Sequence, residues 1–408
     1  MSITKPTTPS SAAATLLTEF AKRTGLTEEA PPRRYLWTDA FAVCTFLSLE
    51  RELQGDGRKH LAIRLIDQVH WVLGRHRPDD PRTGWISGLA EEKGEEHPTA
   101  GGLRIGKPLP EPAPGQRSDS REDWDRDGQY FHYLTKWMHA LDQTRRATGE
   151  VRYGEWAREL AATAHRTFVV RSGRRATHMD WKMSIDLSRP LVPSMGHHDP
   201  LDGLITCEQL AAAPAPGSDL AGAIADFETL CAGRNWATDD PLGLGGLLSD
   251  AWRLAQLIGG SRESTNTASS RGARHLDLLG NLLDASLAGL RGFANTGAHT
   301  GSAAHRLAFR ELGLSIGLHG LENLHAALAA DQALRQRSST RLAAFQLKVD
   351  MLLTYLPMAD EIERFWLDPN NRTAESWTDH EDINAVMLAA SLAPGGYLNL
   401  FEAPLVSS

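Results

Sequence analysis

The chain has 408 residues, 41% hydrophobic and 23% charged, a balance that provides for a sizeable core and excludes a largely disordered protein. Against 43 basic residues stand 51 acidic ones, a net charge of -8 with no basic block, so a nucleic-acid-binding surface has no electrostatic support. No apolar run reaches the roughly 18 residues a membrane span needs, and no basic stretch leads into an apolar signal core, so a cytoplasmic protein without a membrane span is expected.

Residues 1–12 are rich in Ser, Thr and Pro and read as a flexible tail, with 13–408 as one domain. A short helix is expected over Ala13–Lys22. From Tyr35, YLWTDAFAVCTFLSLEREL is apolar nearly all round, which marks a buried helix. HLAIRLIDQVHWVLG, from His60, carries Leu61, Leu65, Ile66, Val69 and Val72 on one stripe and reads as its amphipathic partner. The pairing repeats. A helix from Asp127, with Tyr130, Tyr133, Leu134, Trp137, Met138 and Leu141 on one face, is followed by GEWARELAATAHRTF from Gly154. DPLDGLITCEQLAAA from Asp199 is followed by a helix capped by Ser218 and ended by Gly233. DPLGLGGLLSDAWRLAQLIG from Asp240 is followed by a helix from Ala273. A helix from Ala303 is followed by one from Ser339 that stops at Pro357. The last inner candidate starts at His380. Strand signals are few: TFVVRSGRRATHMDWKM, from Thr167, predicts a small hairpin turning at Gly173.

Apolar helices alternating with amphipathic ones predict an all-α fold, an (α/α)6 toroid of six helical hairpins in which no hydrophobic face is left open. An open α-solenoid is the alternative. Cys44, Cys207 and Cys231 each lie in an apolar helical run and read as buried small hydrophobes rather than disulfides or metal ligands.

The segment Gly84–Asp123 is the longest aperiodic stretch. Its apolar residues Trp85, Ile86, Leu103 and Ile105 suit a lid-like loop docked over the barrel mouth, with PEPAPGQRSDS as surface. AGGLRIG lacks both the preceding strand and the spacing of a phosphate loop.

Six hairpins in about 400 residues, with aromatic and acidic residues gathered before the inner helices, resemble the (α/α)6 barrels of the six-hairpin glycosidases. The pattern is also similar to the N-acylglucosamine 2-epimerase group. The likeness spans Tyr35 to Leu400 and lies in architecture and residue placement. It implies a carbohydrate-active enzyme whose site is built from the loops that lead into the inner helices.

Those loops carry Trp37 and Asp39; Trp124, Asp125, Asp127, Tyr130 and His132; Asp180, Trp181 and Lys182; His197, His198, Asp199 and Asp202; Asp239 and Asp240; Arg306, Arg310 and Glu311; and His380, Glu381 and Asp382. Aromatic faces stack on sugar rings while the polar groups satisfy hydroxyls. The plainer reading makes Asp39, Asp127, Asp199 and Asp240 helix caps, and Trp37 and Trp181 core. The stretch Thr177–Leu210 argues for more, because a cap needs no neighbouring His, Lys or Trp. There Pro190, Pro193 and Pro200 hold the backbone extended, and His197 and His198 are expected to point to opposite sides.

Motifs for serine, cysteine and zinc hydrolases are missing, which leaves acid/base chemistry. The first reading is a glycoside hydrolase with catalytic residues drawn from Asp39, Asp127, Asp180, His198 and Asp199. Trp37, Trp124, Tyr130, His132, Trp181, Lys182, His197, Arg310 and His380 would then bind substrate. The alternative is a sugar epimerase or isomerase working through two of His132, His198, His319 and His380. A noncatalytic toroid that binds a ligand, and a lyase or cyclase on an α-barrel, are further readings. The expected partner is a small sugar or oligosaccharide. Neither a metal nor a cofactor is expected, since the His-His-Asp triplet at 197–199 has no second cluster at ligand spacing.

Overall fold

The computed structural model describes residues 8–113, 125–213, 216–260 and 270–400. It is all-α apart from two small sheets, as the alternation predicts. Helix α1 covers Pro9–Arg23. The chain divides into two compact units, Thr18–Gly233 and Met1–Leu17 with Arg234–Ser408.

In the unit Thr18–Gly233, α2 (Leu36–Glu52) is buried continuously from Leu36 to Leu49. Helix α3 (Arg58–Leu73) buries only the stripe Ala62, Leu65, Ile66, Val69, His70 and Leu73 and packs on α2. After the short α4 (Glu91–Glu96) and the strand β1 (Gln129–Tyr130), α5 (Phe131–Thr148) is again buried on most sides. Its partner α6 (Val151–Phe168) buries one stripe. Strands β2 (Val169–Ser172) and β3 (Arg175–Met179) form the expected hairpin about Gly173, whose φ of +61° suits glycine. Strands β4 (Lys182–Met183) and β5 (Pro190–Val192) complete an antiparallel sheet in the order β1-β4-β5. The last pair is α7 (Asp199–Ala212), buried nearly all round, and α8 (Ala221–Cys231), buried along Ala223, Ile224, Phe227, Leu230 and Cys231.

The other unit repeats the scheme with α9 (Pro241–Gly260) on α10 (Ser270–Thr296) and α11 (Ala308–Ala330), α12 (Gln332–Arg337), then α13 (Leu342–Leu353), which packs on α10 and α11. Helices α14 (Pro357–Leu367), α15 (Glu375–Thr378), α16 (Glu381–Leu392) and α17 (Gly395–Leu398) follow. The backbones of α9 and α11 touch: a Cβ on Gly245 would lie 1.9 Å from the Gly313 carbonyl oxygen, so only glycine allows this crossing. Among the described residues each unit therefore holds three helices buried on most sides (α2, α5, α7; α9, α11, α16) and three buried on one face (α3, α6, α8; α10, α13, α14). That alternation is what an α/α toroid requires. No helix among the described residues is long and apolar enough to cross a membrane. The three cysteines are buried and unbridged, as expected.

Several local expectations change. Asp127 does not start a helix: α5 begins at Phe131, and Asp127 stands before β1. Asp219, not Ser218, receives the first free N–H of α8, from Ala221 at 3.0 Å. Pro357 opens α14 rather than closing α13, because its fixed φ and missing N–H suit a first turn. Pro200 likewise lies in the first turn of α7. Residues Ala303–His305 form a short 3-10 turn and the helix begins only at Ala308.

The stretch after Gly84 is tied into its unit. Trp85, Ile86, Leu103 and Ile105 are buried. Ile105 N–H donates to the Gly128 carbonyl at 2.8 Å, and its own carbonyl accepts from Leu36 N–H at 3.0 Å. The later part of the expected lid, 114–123, lies outside the described residues.

Candidate functional site

Within the unit Thr18–Gly233, the approaches to the three buried helices meet. Tyr35 and Trp37 come from the start of α2, Tyr130, His132 and Tyr133 from the start of α5, and Asp199 and Asp202 from the start of α7. The β1-β4-β5 sheet adds Trp181, whose N–H donates to the Val192 carbonyl at 3.0 Å and whose carbonyl accepts from Phe131 N–H at 3.5 Å. Short-range sequence signals give no hint of this pairing between β4 and β5, so Trp181 is positioned by contacts that only the fold creates.

His132 is central. Its ring lies 20° from the plane of Trp181 with centroids 6.2 Å apart, 5.3 Å from Tyr130, and edge-on to Tyr133 at 4.8 Å. The aromatic wall continues through Tyr133 to Tyr35 at 5.6 Å and Trp37 at 6.5 Å. Burial among these rings lowers the imidazole pKa to about 4, with Asp202 opposing and Lys136 assisting the shift. A quarter of the side chain still opens outward, at 25% relative exposure. Nδ1 is buried without a hydrogen bond, 3.7 Å from Asp199 Oδ1, which leaves Nε2 as the open edge. One turn further along both helices, Lys136 Nζ bonds Asp202 Oδ1 at 2.8 Å and fixes α5 against α7. Gly196 matters here: a Cβ on it would fall 2.5 Å from the Asp199 carboxylate, so glycine lets the preceding loop close over that group.

The carboxylates divide by environment. Asp39 accepts from Tyr35 N–H at 2.9 Å and pairs with Arg34 at 3.5 Å, both side chains being fully buried. Asp127 is completely buried. It accepts from Arg104 at 2.5 Å, Arg77 at 3.4 Å and the N–H groups of Gly106 and Gly128 at 3.0 Å each. Such an anion organises the loop around it, and breaking a pair of this kind costs about 3–5 kcal/mol. Asp180 lies buried between β3 and β4, and desolvation raises its carboxyl pKa, with His178 opposing. Lys182 donates to the Arg126 carbonyl at 2.7 Å with its ammonium 5.0 Å from the centre of the Tyr130 ring.

His197 and His198 do not point apart as an extended backbone would make them. The chain bends there, and their rings lie 4.6 Å from each other with His197 exposed. Trp124 is outside the described residues. In the other unit, Arg310 pairs with Asp240, and His380 precedes α16 with its ring 5.8 Å from Phe309. Arg306 and Glu311 form a buried bidentate pair that also takes the indole N–H of Trp366 at 2.9 Å. His319 bonds Glu363 at 2.8 Å, and that carboxylate also accepts from Ser315 at 2.8 Å and from Ser391.

Tyr35 and Tyr133 were not among the residues the sequence pointed to. Their hydroxyl oxygens lie 2.5 Å apart across a separation of 98 residues. Tyr133 had a place only in an apolar helical stripe, and nothing in the sequence links it to Tyr35.

No protein-family model matches the chain, and no curated protein matches it in sequence. Among solved structures it is similar to a sugar epimerase from a ruminal bacterium, at 11% identity and a TM-score of 0.48, covering 95% of this chain and 99% of that one. It is also similar to cellobiose 2-epimerase from Bacillus thermoamylovorans, at 9% identity and a TM-score of 0.41, covering 84% of this chain and 87% of that one.

Proposed function

We propose that the chain is a sugar-converting enzyme of the epimerase or isomerase type, with His132 as the base that removes a proton from the carbon beside a sugar carbonyl. The observation that carries this reading is the placement of His132. With its pKa lowered to about 4 the imidazole is uncharged at neutral pH, and its open Nε2 edge sits in an aromatic wall suited to a sugar ring. Asp199, 3.7 Å from Nδ1, stabilises the imidazolium once the proton has arrived.

Hydrolysis through paired carboxylates has weaker support. Two of the four aspartates considered for it, Asp39 and Asp127, are bound by arginine and backbone N–H groups. One observation favours it as a second reading: the raised pKa of Asp180 suits a general acid.

Incubation of the protein with glucose, mannose, cellobiose and maltose in D2O separates the two. Base chemistry at carbon gives an isomerised sugar carrying deuterium at the attacked carbon, seen by NMR. His132→Gln is expected to lower that exchange about 1000-fold, within the range general acid–base catalysis supplies. Release of glucose from cellobiose or maltose without deuterium at carbon would replace this reading with the hydrolase.

A further inference from the structure

Stacking a sugar needs the faces of Tyr35 and Tyr133 but not their hydroxyls, yet the two oxygens meet at 2.5 Å. Two phenols bring two protons. One is used inside the pair, and neither hydroxyl makes another hydrogen bond among the described residues, so one O–H is left over. Both residues are half-buried, so the spare O–H is within reach of an oxygen of a ligand that enters the aromatic wall. Burial keeps both phenols protonated, pushing Tyr35 up to about 12 and Tyr133 well above 10. Tyr133 lies edge-on to His132 at 4.8 Å between centroids, so the ring that carries one of the two hydroxyls packs against the base.

We propose that the Tyr35–Tyr133 pair donates its spare O–H to the oxygen that becomes negative when His132 removes the neighbouring proton; the inference rests on His132 being that base. In the step the C–H bond breaks and its electron pair forms a double bond to the carbonyl carbon. The π pair of the carbonyl moves onto oxygen, and the proton resides on His132 Nε2. The phenol keeps its own proton and stabilises the new oxyanion by a hydrogen bond, and the intermediate collapses when a proton returns to carbon. A preorganised donor of this kind acts on charge that exists only as the reaction proceeds, so it raises kcat more than it changes KM.

The test uses Tyr35→Phe, Tyr133→Phe and the double variant of the full chain, with deuterium exchange on the sugar panel as readout. The single variant that removes the donating phenol is expected to lose about 100-fold in kcat with KM within about threefold, as for removal of one oxyanion donor, and the other, which removes only that phenol's hydrogen-bond partner, to lose less. The double variant should be the slowest of the three, because each single variant keeps one phenol O–H and only the double variant keeps none. Binding by calorimetry gives a second readout that needs no turnover. Arabinonohydroxamate, an enediolate mimic, should bind the variants at least about tenfold more weakly than the wild type, while glucitol, which has no carbonyl, should change little. Circular dichroism checks folding, and if one single variant fails to fold the other carries the test. Single variants within twofold of wild-type kcat, or an equal loss for both ligands, would overturn the inference while leaving His132 as the base. Absence of exchange in the wild type on every sugar would overturn both.

Discussion

The chain uses the triplet Asp-Pro-Leu twice to begin a buried helix, and the two aspartates do different work. Asp240 stands just outside α9, where its Oδ2 accepts from Gly243 N–H at 2.9 Å, the bond of an N-cap. Its other oxygen meets Arg310, and the side chain is 36% exposed. Asp199 belongs to the first turn of α7. The Asp202 N–H donates to the His198 carbonyl at 3.0 Å. Its carboxylate is 6% exposed and approaches His132. The preceding residues cause the difference: Gly196 lets the loop fold over Asp199, whereas Thr238 Oγ1 accepts from Asp240 N–H at 3.2 Å and holds that residue in a cap geometry. Identical letters at a helix start therefore do not imply one role, and burial separates them.

The largest effect expected from this contrast is on turnover. Asp199→Asn keeps the size of the side chain but removes the charge that steadies the imidazolium 3.7 Å away. A loss in kcat of about 10- to 100-fold is expected, about 1.4–2.7 kcal/mol of barrier, with thermal stability little changed. Turnover of the variant within twofold of wild type on the sugar that the deuterium assay identifies would put Asp199 in the same class as Asp240.

The pH dependence is the next test, and its sign follows from the direction of the shift. His132 must be neutral to act as a base, and its pKa lies near 4. The kcat/KM profile is therefore expected to stay level through pH 6.5, where an exposed histidine would titrate, and to fall about tenfold per unit only below about 4. Stability moves in the window just above it. Between pH 6.5 and about 4 the unfolded chain binds a proton at this residue and the folded chain does not. The contribution is complete above 6.5 and is lost on acidification at about 1.4 kcal/mol per pH unit. Urea unfolding at pH 7 and 5, compared between the wild type and His132→Gln, isolates it from the other buried histidines such as His70, which burial lowers to about 3.

The parts of this picture that the sequence disclosed are the parts set by burial. The apolar run of α2 and the stripes of α3, α6 and α8 were legible because a helix writes its buried face directly into the spacing of apolar residues. The Gly173 hairpin was legible because the turn demanded glycine. Asp127 was not: DGQYFHYL looks like a cap before an apolar face, and its actual partners, Arg104 and Arg77, lie 23 and 50 residues earlier. The same holds for the Tyr35–Tyr133 contact and for Trp181, which the β1-β4-β5 pairing brings to Tyr130 at 5.4 Å. A site assembled from three helix starts leaves no local pattern, only an excess of the right residue types. The stretch Thr177–Leu210 had that excess, yet its His197 and His198 rings lie tilted against each other, 4.6 Å apart, where an extended backbone would have separated them.

The smallest effect is expected at Asp240, and two substitutions divide it. Asp240→Ala removes both the bond to Gly243 N–H and the charge facing Arg310. Loss of an N-cap costs about 1 kcal/mol, and an ion pair this exposed adds a fraction of that. Asn caps a helix about as well as Asp, so Asp240→Asn should recover most of the loss and leave a deficit of only a few tenths of a kcal/mol, the share of Arg310. Urea midpoints for the two variants measure this directly. Deuterium exchange within twofold of wild type in both would keep Asp240 a cap, whereas a rate loss in Asp240→Asn matching that of Asp199→Asn would mean that the charge, and not the cap, is what the two triplets share.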